Sequence, residues 1–321
     1  MFPSNHKNEI VEIAGHKIGL GEHKLIHLEV DRLPTGLLIK IPVFIFNGKN
    51  PGPTMLIQGG LHGDEVNSVE LIRRLLAENT FEIVTGCVIV VPILNIFGFL
   101  SSSREVSGKD INRYFPGRKN GSLASRIAYY HTKAIAANID FAVDFHTGGE
   151  QRSNYPQIRY TKGSKIGAQL AEIFNAPFRF ESSLIDKSFR KEAHKHGIPV
   201  IVFEGGESNR LNEYAIEVGI QGVKNLLSHL GFLEKEASIP KKESVLLKKR
   251  RWLRAPIAGM FHSIIENGQK IQKGQTLGYV TDTYGQSSTP IKTKSDGYII
   301  AINNFPVIKR GDALYHIGYI S

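Results

Sequence analysis

Cysteine, tryptophan and long apolar runs are scarce in this 321-residue chain. Its single cysteine, Cys87, cannot form a disulfide within the chain, so nothing indicates a disulfide-stabilised extracellular scaffold. The longest apolar stretch, residues 88–100, is too short for a membrane span and contains Pro92 and Asn95. Residues 1–7 lack the apolar core of a signal peptide. We therefore expect a cytoplasmic protein with no membrane partner.

Acidic residues are also in deficit. The chain has 30 Asp and Glu against 40 Lys and Arg, which gives a formal net charge of +10. A basic surplus is compatible with nucleic-acid binding. Much of it is local, however, because residues 241–254 hold seven Lys or Arg and one Glu, with no known nucleic-acid motif around them. We therefore expect no nucleic-acid partner; a basic balance also suits an enzyme that acts on carboxylates.

The chain up to residue 233 alternates short apolar runs with segments of helical periodicity. Residues 54–58, 87–94, 141–145 and 199–203 predict buried strands, and residues 64–79, 122–138, 163–174 and 211–230 predict helices. Strands separated by helices indicate an α/β fold with a mixed, largely parallel sheet flanked by helices. In such sheets, ligands bind at the carboxyl ends of the strands.

Helical periodicity disappears near residue 240, and short β segments with glycine-bearing turns follow. This change predicts three parts. Residues 1–233 form the α/β domain, residues 234–254 form a basic linker, and residues 255–321 form a small all-β domain near the lower end of domain size.

The most informative motif is Gly59-Gly60-Leu61-His62-Gly63-Asp64-Glu65, directly after the first buried run. Its glycines allow a sharp turn between strand and helix, so the side chains of His62 and Glu65 can converge. A lone His-x-x-Glu is weak evidence, because the glutamate can simply favour the helix N-terminus.

A second histidine, His146, also follows an apolar strand and has Gly148 close behind. Alone, it is as easily explained as a structural histidine. Two histidines and one carboxylate, however, make the ligand set of a catalytic zinc that keeps its fourth position open. We therefore predict that His62, Glu65 and His146 bind one Zn²⁺ per chain.

Other polar residues suit the chemistry of a hydrolytic metal site. Glu204 ends the strand 199–203 and is the candidate general base, with Glu207 as the competing carboxylate. Arg113 can pair with a substrate carboxylate and Asn112 can add a hydrogen bond. Arg104 is a cation suited to stabilising an oxyanion, although an ordinary surface charge is the simpler explanation for it.

Four segments in this order resemble the succinylglutamate desuccinylase and aspartoacylase family, which is related to the zinc carboxypeptidases. They are His62-x-x-Glu65, residues 110–117 (Asp-Ile-Asn-Arg-Tyr-Phe-Pro-Gly), residues 144–148 (Asp-Phe-His-Thr-Gly) and residues 203–206 (Phe-Glu-Gly-Gly). The similarity covers roughly residues 35–321.

This resemblance implies a zinc carboxypeptidase-like α/β fold and residue roles at one site. The implied metal ligands are His62, Glu65 and His146, the implied general base and acid is Glu204, the implied oxyanion stabiliser is Arg104, and the implied substrate contacts are Asn112, Arg113 and, as a further contact, Arg159.

Residues 255–321 resemble the barrel-sandwich fold of biotinyl and lipoyl domains. Carrier domains of that fold present a modifiable lysine at a hairpin tip, whereas the corresponding tip here is Thr281-Asp282-Thr283-Tyr284-Gly285. Carrier function is therefore disfavoured. Enzymes of the resembling family often carry such a domain as an active-site cap or an oligomer contact, and the sequence leaves both roles, including a homo-oligomer, open.

The leading interpretation is a zinc-dependent amidohydrolase. It would cleave the amide bond of a small N-acyl amino acid, or of a related carboxylate-bearing amide, by zinc-activated water. The alternatives are a zinc carboxypeptidase that acts on peptides and a non-enzymatic, metal-free binding module. The sequence names neither the acyl group nor the amine.

Overall fold

The computed structural model of the chain describes residues 9–234 and 244–320. Within these residues, no helix is both long enough and apolar enough to cross a bilayer. The two described parts, residues 9–234 and residues 244–320, differ in their secondary structure.

The first part mixes strands and helices. Its strands are β1 (Ile10–Ile13), β2 (His16–Gly19), β3 (His23–Arg32), β4 (Leu38–Asn47), β5 (Asn50–Gln58), β6 (Thr85–Val91), β7 (Phe141–Gly148), β8 (Arg152–Thr161), β9 (Phe178–Ser182) and β10 (Val200–Glu207). Its helices are α1 (Val66–Ala77), α2 (Ile96–Leu100), α3 (Leu123–Ala134), α4 (Lys165–Phe174), α5 (Phe189–Lys195) and α6 (Glu213–His229), with 3₁₀ turns at Ile111–Arg113 and Ala136–Asn138.

The second part is built from strands. These are β11 (Val245–Leu246), β12 (Lys249–Arg254), β13 (Gly259–Ser263), β14 (Lys270–Ile271), β15 (Thr276–Thr281), β16 (Ser288–Lys292), β17 (Gly297–Asn303), β18 (Val307–Ile308) and β19 (Ala313–Tyr319).

One large mixed sheet runs through the molecule in the strand order β12-β19-β17-β8-β10-β7-β5-β6-β4-β3. The parallel pairs at its centre are β6 with β5, β5 with β7 and β7 with β10. Antiparallel strands extend this centre on both sides, through β4 and β3 and through β8. The α/β fold with a mixed sheet is therefore as predicted. The prediction of a largely parallel sheet is wrong, because antiparallel pairs outnumber parallel ones among the described strands of this sheet, and the parallel pairs at the centre are flanked by antiparallel extensions.

The central strands are buried on both faces because helices cover them. Every residue of β7 is buried, which its apolar sequence favours. On one face, α1 and α6 pack through side chains such as Leu71 and Ile220. On the other face, α3 packs through Ile127 and Ala128. Helix α3 begins at a serine cap, where Ser122 Oγ accepts a hydrogen bond from the backbone N–H of Ser125.

The central strands also align the ends that carry polar residues. Glu204 of β10 lies in register with His146 of β7, and Gln58 of β5 lies in register with Asp144 of β7. The turn after β5 passes very close to α2: a Cβ on Gly63 would lie 1.9 Å from the carbonyl carbon of Gly98. A glycine is required there, and it keeps the 59–65 segment against the edge of the sheet.

The C-terminal strands are connected to the main sheet through β17. Strand β17 pairs antiparallel with β8, with Ala301 opposite Asn154. Strands β16, β15, β13 and β18 form a second, four-stranded sheet. Of the basic linker predicted at 234–254, residues 235–243 lie outside the described residues, and the remainder contains β11 and β12. The division of the chain into domains stays a prediction.

Candidate metal and active site

The first feature of the site is the convergence of His62, Glu65 and His146. All three side chains are buried, and one potential ligand atom from each lies within 4.8 Å of the other two. His62 Nδ1 lies 2.8 Å from Glu65 Oε1, and His146 Nδ1 lies 2.8 Å from Glu65 Oε2. The two Nδ1 atoms are 3.2 Å apart.

The other nitrogen of each ring faces a carboxylate. His62 Nε2 lies 3.2 Å from Asp110 Oδ1, and His146 Nε2 lies 2.9 Å from Asp144 Oδ2. An ionised carboxylate only accepts hydrogen bonds, so each Nε2 can donate its proton to the facing carboxylate, which would leave Nδ1 as the nitrogen that binds an ion once it is deprotonated. This is the histidine–carboxylate arrangement that orients metal-binding imidazoles in proteins.

The donor set fits a metal ion. Nδ1 of both imidazoles and the two oxygens of the Glu65 carboxylate converge on one place, and neutral imidazoles and a carboxylate are ligands that zinc accepts. Two ligands about 2.0–2.1 Å from a tetrahedral ion lie about 3.3 Å apart, close to the 3.2 Å between the two Nδ1 atoms. The three residues can therefore hold a divalent ion.

Opposing effects set the pKa values of this cluster. Burial by itself would lower the pKa of His62, but Glu65 and Asp110 outweigh it, and the pKa is raised. Burial would likewise raise the pKa of Glu65, but His62 and His146 hold it well below its usual range. Glu65 is therefore ionised at neutral pH, as a metal ligand must be.

Glu204 faces the same site from β10. Its Oε1 lies 2.8 Å from Nη1 of Arg159, and its Oε2 accepts a hydrogen bond from Asn154 Nδ2 at 2.8 Å. Glu207 is held elsewhere, because its carboxylate pairs with Arg210 at 2.9 Å and accepts a hydrogen bond from Asn304. The structure thus brings Glu204 to the cluster, with both carboxylate oxygens engaged.

Arg104 reaches the cluster from the loop after α2. Its Nη1 lies 3.2 Å from Glu65 Oε1 and its Nη2 lies 3.1 Å from Asp110 Oδ2. It therefore bridges one predicted metal ligand and the carboxylate that supports another. Its guanidinium is partly exposed to the cavity described below.

Asn112 and Arg113 occupy the 3₁₀ turn at the rim of the site. Asn112 Oδ1 accepts a hydrogen bond from the backbone N–H of Phe189 at 2.9 Å, which ties the turn to the start of α5. Arg113 donates to the carbonyl oxygen of Asn112 at 2.8 Å and is largely exposed. Its guanidinium lies 3.9 Å from Asp110 and is otherwise directed to solvent and the cavity.

Two kinds of residue escape the sequence-based prediction. Asp110 and Asp144 fall inside the recognised motifs, yet their contacts with the two histidines were not predicted. For Asp144 a signal exists, because it precedes His146 by two residues, and residues two apart in a strand lie on the same face. Arg190 of α5 gives no such signal, because it lies in a helix rich in charged residues.

Arg190 is buried and lines the same site. It donates to Ser182 Oγ and to the carbonyl oxygen of Ser183, both at 2.6 Å. Within the described ranges it has no carboxylate partner in an ion pair. Burial, followed by the like charge of Arg159, lowers the pKa of Arg190 to about 10, so the group stays cationic at neutral pH.

All eight predicted site residues line one cavity of about 560 Å³: His62, Glu65, Arg104, Asn112, Arg113, His146, Arg159 and Glu204. Trp252 of β12 also lines it, so the C-terminal strands contribute to its wall. A larger cavity of about 890 Å³, beside Phe46 and Phe81, contains none of the predicted residues.

Comparison with known proteins adds a family match. The model of the succinylglutamate desuccinylase/aspartoacylase catalytic domain matches residues 51–230. The N-alpha-acetyl-L-2,4-diaminobutyric acid deacetylase of Halomonas elongata is 25% identical over 291 residues, which cover 86% of this chain and 84% of the relative.

Solved structures show the same architecture. The product-bound ectoine utilization protein EutE (DoeB) of Ruegeria pomeroyi is 26% identical with a TM-score of 0.81, and the match covers 98% of this chain and 100% of that chain. A succinylglutamate desuccinylase/aspartoacylase of Rhodobacter sphaeroides shares the fold, with a TM-score of 0.81, 24% identity, and coverage of 94% of this chain and 96% of that chain.

Proposed function

This chain belongs to the succinylglutamate desuccinylase/aspartoacylase family, and we propose that it is a zinc-dependent amidohydrolase. Its substrate would be a small N-acyl amino acid or a related carboxylate-bearing amide. The observation that carries this proposal is the convergence of three buried donor atoms, from His62, Glu65 and His146, in the cavity that Glu204 also lines.

The relatives support amide hydrolysis as the reaction. The Halomonas relative is a deacetylase of an N-acyl amino acid, and the family takes its name from a desuccinylase and an acylase. These activities remove different acyl groups from an amino acid, so they support the bond that is cleaved more strongly than any particular acyl group.

His62 Nδ1, His146 Nδ1 and the Glu65 carboxylate would hold the ion. A zinc ion bound there would supply Lewis-acid activation of water and of the amide carbonyl. The protein contributes the fixed direction of the donors, because Asp110 and Asp144 hold the two imidazole rings in one tautomer.

Glu204 would move the proton. Its carboxylate takes a proton from the attacking water and returns it to the departing nitrogen, which converts the amine into a good leaving group. Asn154 and Arg159 hold both carboxylate oxygens, and Arg159 also lines the cavity where a substrate would lie. Arg104, which lines the cavity, would stabilise the oxyanion that forms at the attacked carbonyl.

Cationic groups at the cavity point to a substrate with a carboxylate. Arg190 has no carboxylate partner in the described residues, and Arg113 keeps most of its guanidinium free, with Asn112 beside it. Arginine binds carboxylates through paired N–H groups. The cavity volume of about 560 Å³ lies in the range of small-molecule sites and favours a small amide over a peptide.

We extend the proposal to the architecture. The α/β part up to residue 233 would be a zinc carboxypeptidase-like hydrolase domain, and residues 255–321 would be a barrel-sandwich domain that limits access to the site. Trp252, on the strand β12 that pairs with β19 of this domain, lines the cavity, and this proximity supports the arrangement.

The direct test is a metal and activity assay. Purified protein should carry about one zinc per chain by elemental analysis. With zinc supplied, it should release free amine from members of a panel of N-acetyl and N-succinyl amino acids, and it should not trim matched peptides. Glu204→Gln should keep the zinc and lower kcat by roughly 10²- to 10⁴-fold.

A chain that binds no zinc, even when zinc is supplied, would overturn the proposal. Full activity in Glu204→Gln would remove the general-base role, and release of C-terminal residues from peptides would favour the carboxypeptidase alternative. Glu207→Gln is the matched control, because this carboxylate is paired with Arg210 and lies outside the cavity lining.

A further inference from the structure

A row of buried polar side chains runs from His146 into the apolar core. Asp144 Oδ2 accepts a hydrogen bond from His146 Nε2 at 2.9 Å, and Asp144 Oδ1 accepts one from Gln58 Nε2 at 3.0 Å. The amide oxygen of Gln58 accepts a hydrogen bond from His131 Nε2. All four residues are at most 6% exposed. These residues come from β7, β5 and α3, so the row crosses from the sheet to a covering helix.

Gln58 and His131 are polar residues in an apolar environment, where the burial of their polar groups costs free energy. The ring of His131 packs against Phe115 and Phe189, with centroid distances of 5.5 and 4.9 Å, in a layer of apolar side chains. Burying an amide and an imidazole costs free energy unless their polar groups are satisfied. An apolar pair of similar size would fill the same space without that cost, so their polarity needs a reason.

The hydrogen bonds have one direction along the row. Burial lowers the pKa of His131 to about 4, so the ring is neutral at pH 7 and carries one N–H. That N–H is at Nε2, because Nε2 faces the oxygen of Gln58, whereas Nδ1 has no partner in residues 9–234 and 244–320. The amide of Gln58 is thereby held with its N–H₂ group towards Asp144.

We propose that Gln58 and His131 are positioning residues of the metal site. They supply the hydrogen bond that holds the Asp144 carboxylate in place, and Asp144 holds His146 with its Nδ1 lone pair towards the metal position. The inference rests on the proposed function, since it requires His146 to be a metal ligand. Neither Gln58 nor His131 lines the active-site cavity.

The test uses Co²⁺ as a spectroscopic replacement for zinc in the full chain. Gln58→Leu removes the hydrogen bond to Asp144, and His131→Phe keeps an aromatic ring but cannot fix the amide of Gln58. We expect each variant to bind Co²⁺ about 3- to 10-fold more weakly, less than the 10- to 100-fold typical of residues in direct contact with a ligand. The visible Co²⁺ spectrum should also change, because the direction of His146 is less restricted.

Asn225→Leu is the matched control. Asn225 is buried, and its amide donates to the carbonyl oxygen of Phe174 at 3.1 Å, between α6 and α4. Loss of this hydrogen bond in Asn225→Leu should lower stability towards urea about as much as Gln58→Leu and His131→Phe do. It should leave the Co²⁺ affinity and the Co²⁺ spectrum unchanged. The double variant Gln58→Leu/His131→Phe should bind Co²⁺ about as weakly as Gln58→Leu alone, since both changes act through one row.

The outcomes separate the two proposals. If the wild-type chain binds neither Zn²⁺ nor Co²⁺, the proposed function fails. If the wild-type chain binds Co²⁺ and both variants match its affinity and spectrum, or lose no more affinity than Asn225→Leu, the positioning role is wrong. If Gln58→Leu does not fold, His131→Phe, which preserves the aromatic packing, decides the question alone.

Discussion

The two histidines of the proposed metal site are supported in different ways. His62 contacts the carboxylate of Asp110. Asp110 lies on a loop, is partly exposed and forms an ion pair with Arg104. His146 is hydrogen-bonded to Asp144, which lies inside β7 and is almost fully buried. Asp144 accepts a hydrogen bond from the uncharged amide of Gln58, and Gln58 accepts one from the neutral ring of His131. One predicted ligand is thus oriented by a carboxylate that pairs with Arg104, and the other by a carboxylate that accepts a hydrogen bond from an uncharged amide.

This difference follows from where the residues lie. Charges near the cavity are hydrated and screened, so an ion pair there can be rearranged at low cost. Asp144 also borders the cavity but is far less exposed than Asp110, so the loss of a hydrogen-bond donor to it should cost more free energy. We therefore expect the His146 side to be the more rigid half of the site and the more sensitive to substitution. Three measurements test this contrast, in order of decreasing expected effect.

Removal of either histidine should have the largest effect. His62→Ala and His146→Ala should each reduce bound zinc from about one per chain to below about 0.1, because two protein ligands do not hold zinc tightly. In zinc-free protein, His146→Ala should also lose about 1–3 kcal/mol more stability towards urea than His62→Ala, because Asp144 loses a buried partner whereas Asp110 keeps Arg104. Equal losses of stability in His62→Ala and His146→Ala would contradict the expected difference between the two histidines.

A fall in pH should reduce the stability of the fold through His131, which belongs to the row that supports His146. The pKa of His131 is lowered by burial to about 4, against an ordinary value of 6.5 in the unfolded chain. Between those pH values the unfolded state therefore binds this proton and the folded state does not. The contribution of neutral His131 to the free energy of unfolding is fully present above pH 6.5 and is lost as the pH falls towards 4. The loss amounts to about 3 kcal/mol.

The measurement is urea unfolding of zinc-free wild type and His131→Phe between pH 7 and pH 4. Both chains share all other titrating groups, so the difference between their pH dependences isolates His131. Wild type should lose more stability than the variant over this range. Parallel curves would show that His131 is not buried in its neutral form.

Substitution of the supporting carboxylates should have the smallest effect of the three. Asp144→Asn should weaken zinc binding about 100-fold and Asp110→Asn about 10-fold, the upper and lower ends of what such partners contribute. Asp110 is the more exposed of the two carboxylates that line the cavity, so water can take over more of its role than of the role of Asp144. Competition with a chelator measures both affinities, and Asp31→Asn, which removes the partner of Arg126, is a control outside the site. A larger loss in Asp110→Asn would reverse the comparison.

Much of the site could be anticipated from the chain because its elements are local. The turn that carries His62 and Glu65 follows directly from an apolar run and its glycines, and His146 and Glu204 each end an apolar run. The structure brings these four residues into one cavity, at the carboxyl ends of neighbouring parallel strands. Their ligand and catalytic roles remain predictions.

The supporting residues could not be anticipated in the same way. The hydrogen bond of Gln58 to Asp144 joins residues 86 positions apart, and that of His131 to Gln58 joins residues 73 positions apart. A buried Gln or His within an apolar pattern gives no sign of its partner until strand register and helix packing are known. The ion pair of Arg159 with Glu204 is hidden for the same reason, since it depends on the antiparallel pairing of β8 with β10.

By itself, the sequence determined the α/β character of the first part, the β character of the last part, and which residues could bind a metal, because periodicity, glycine turns and short motifs act over a few neighbouring residues. Only the tertiary structure decided that antiparallel pairs outnumber parallel ones in the main sheet and that Nδ1 of both histidines faces Glu65. It also decided that the carboxylate beside His62 pairs with Arg104, whereas the one beside His146 accepts a hydrogen bond from a buried amide. Those features depend on contacts between distant segments, whose free energies are set by burial and hydrogen-bond satisfaction in the folded chain.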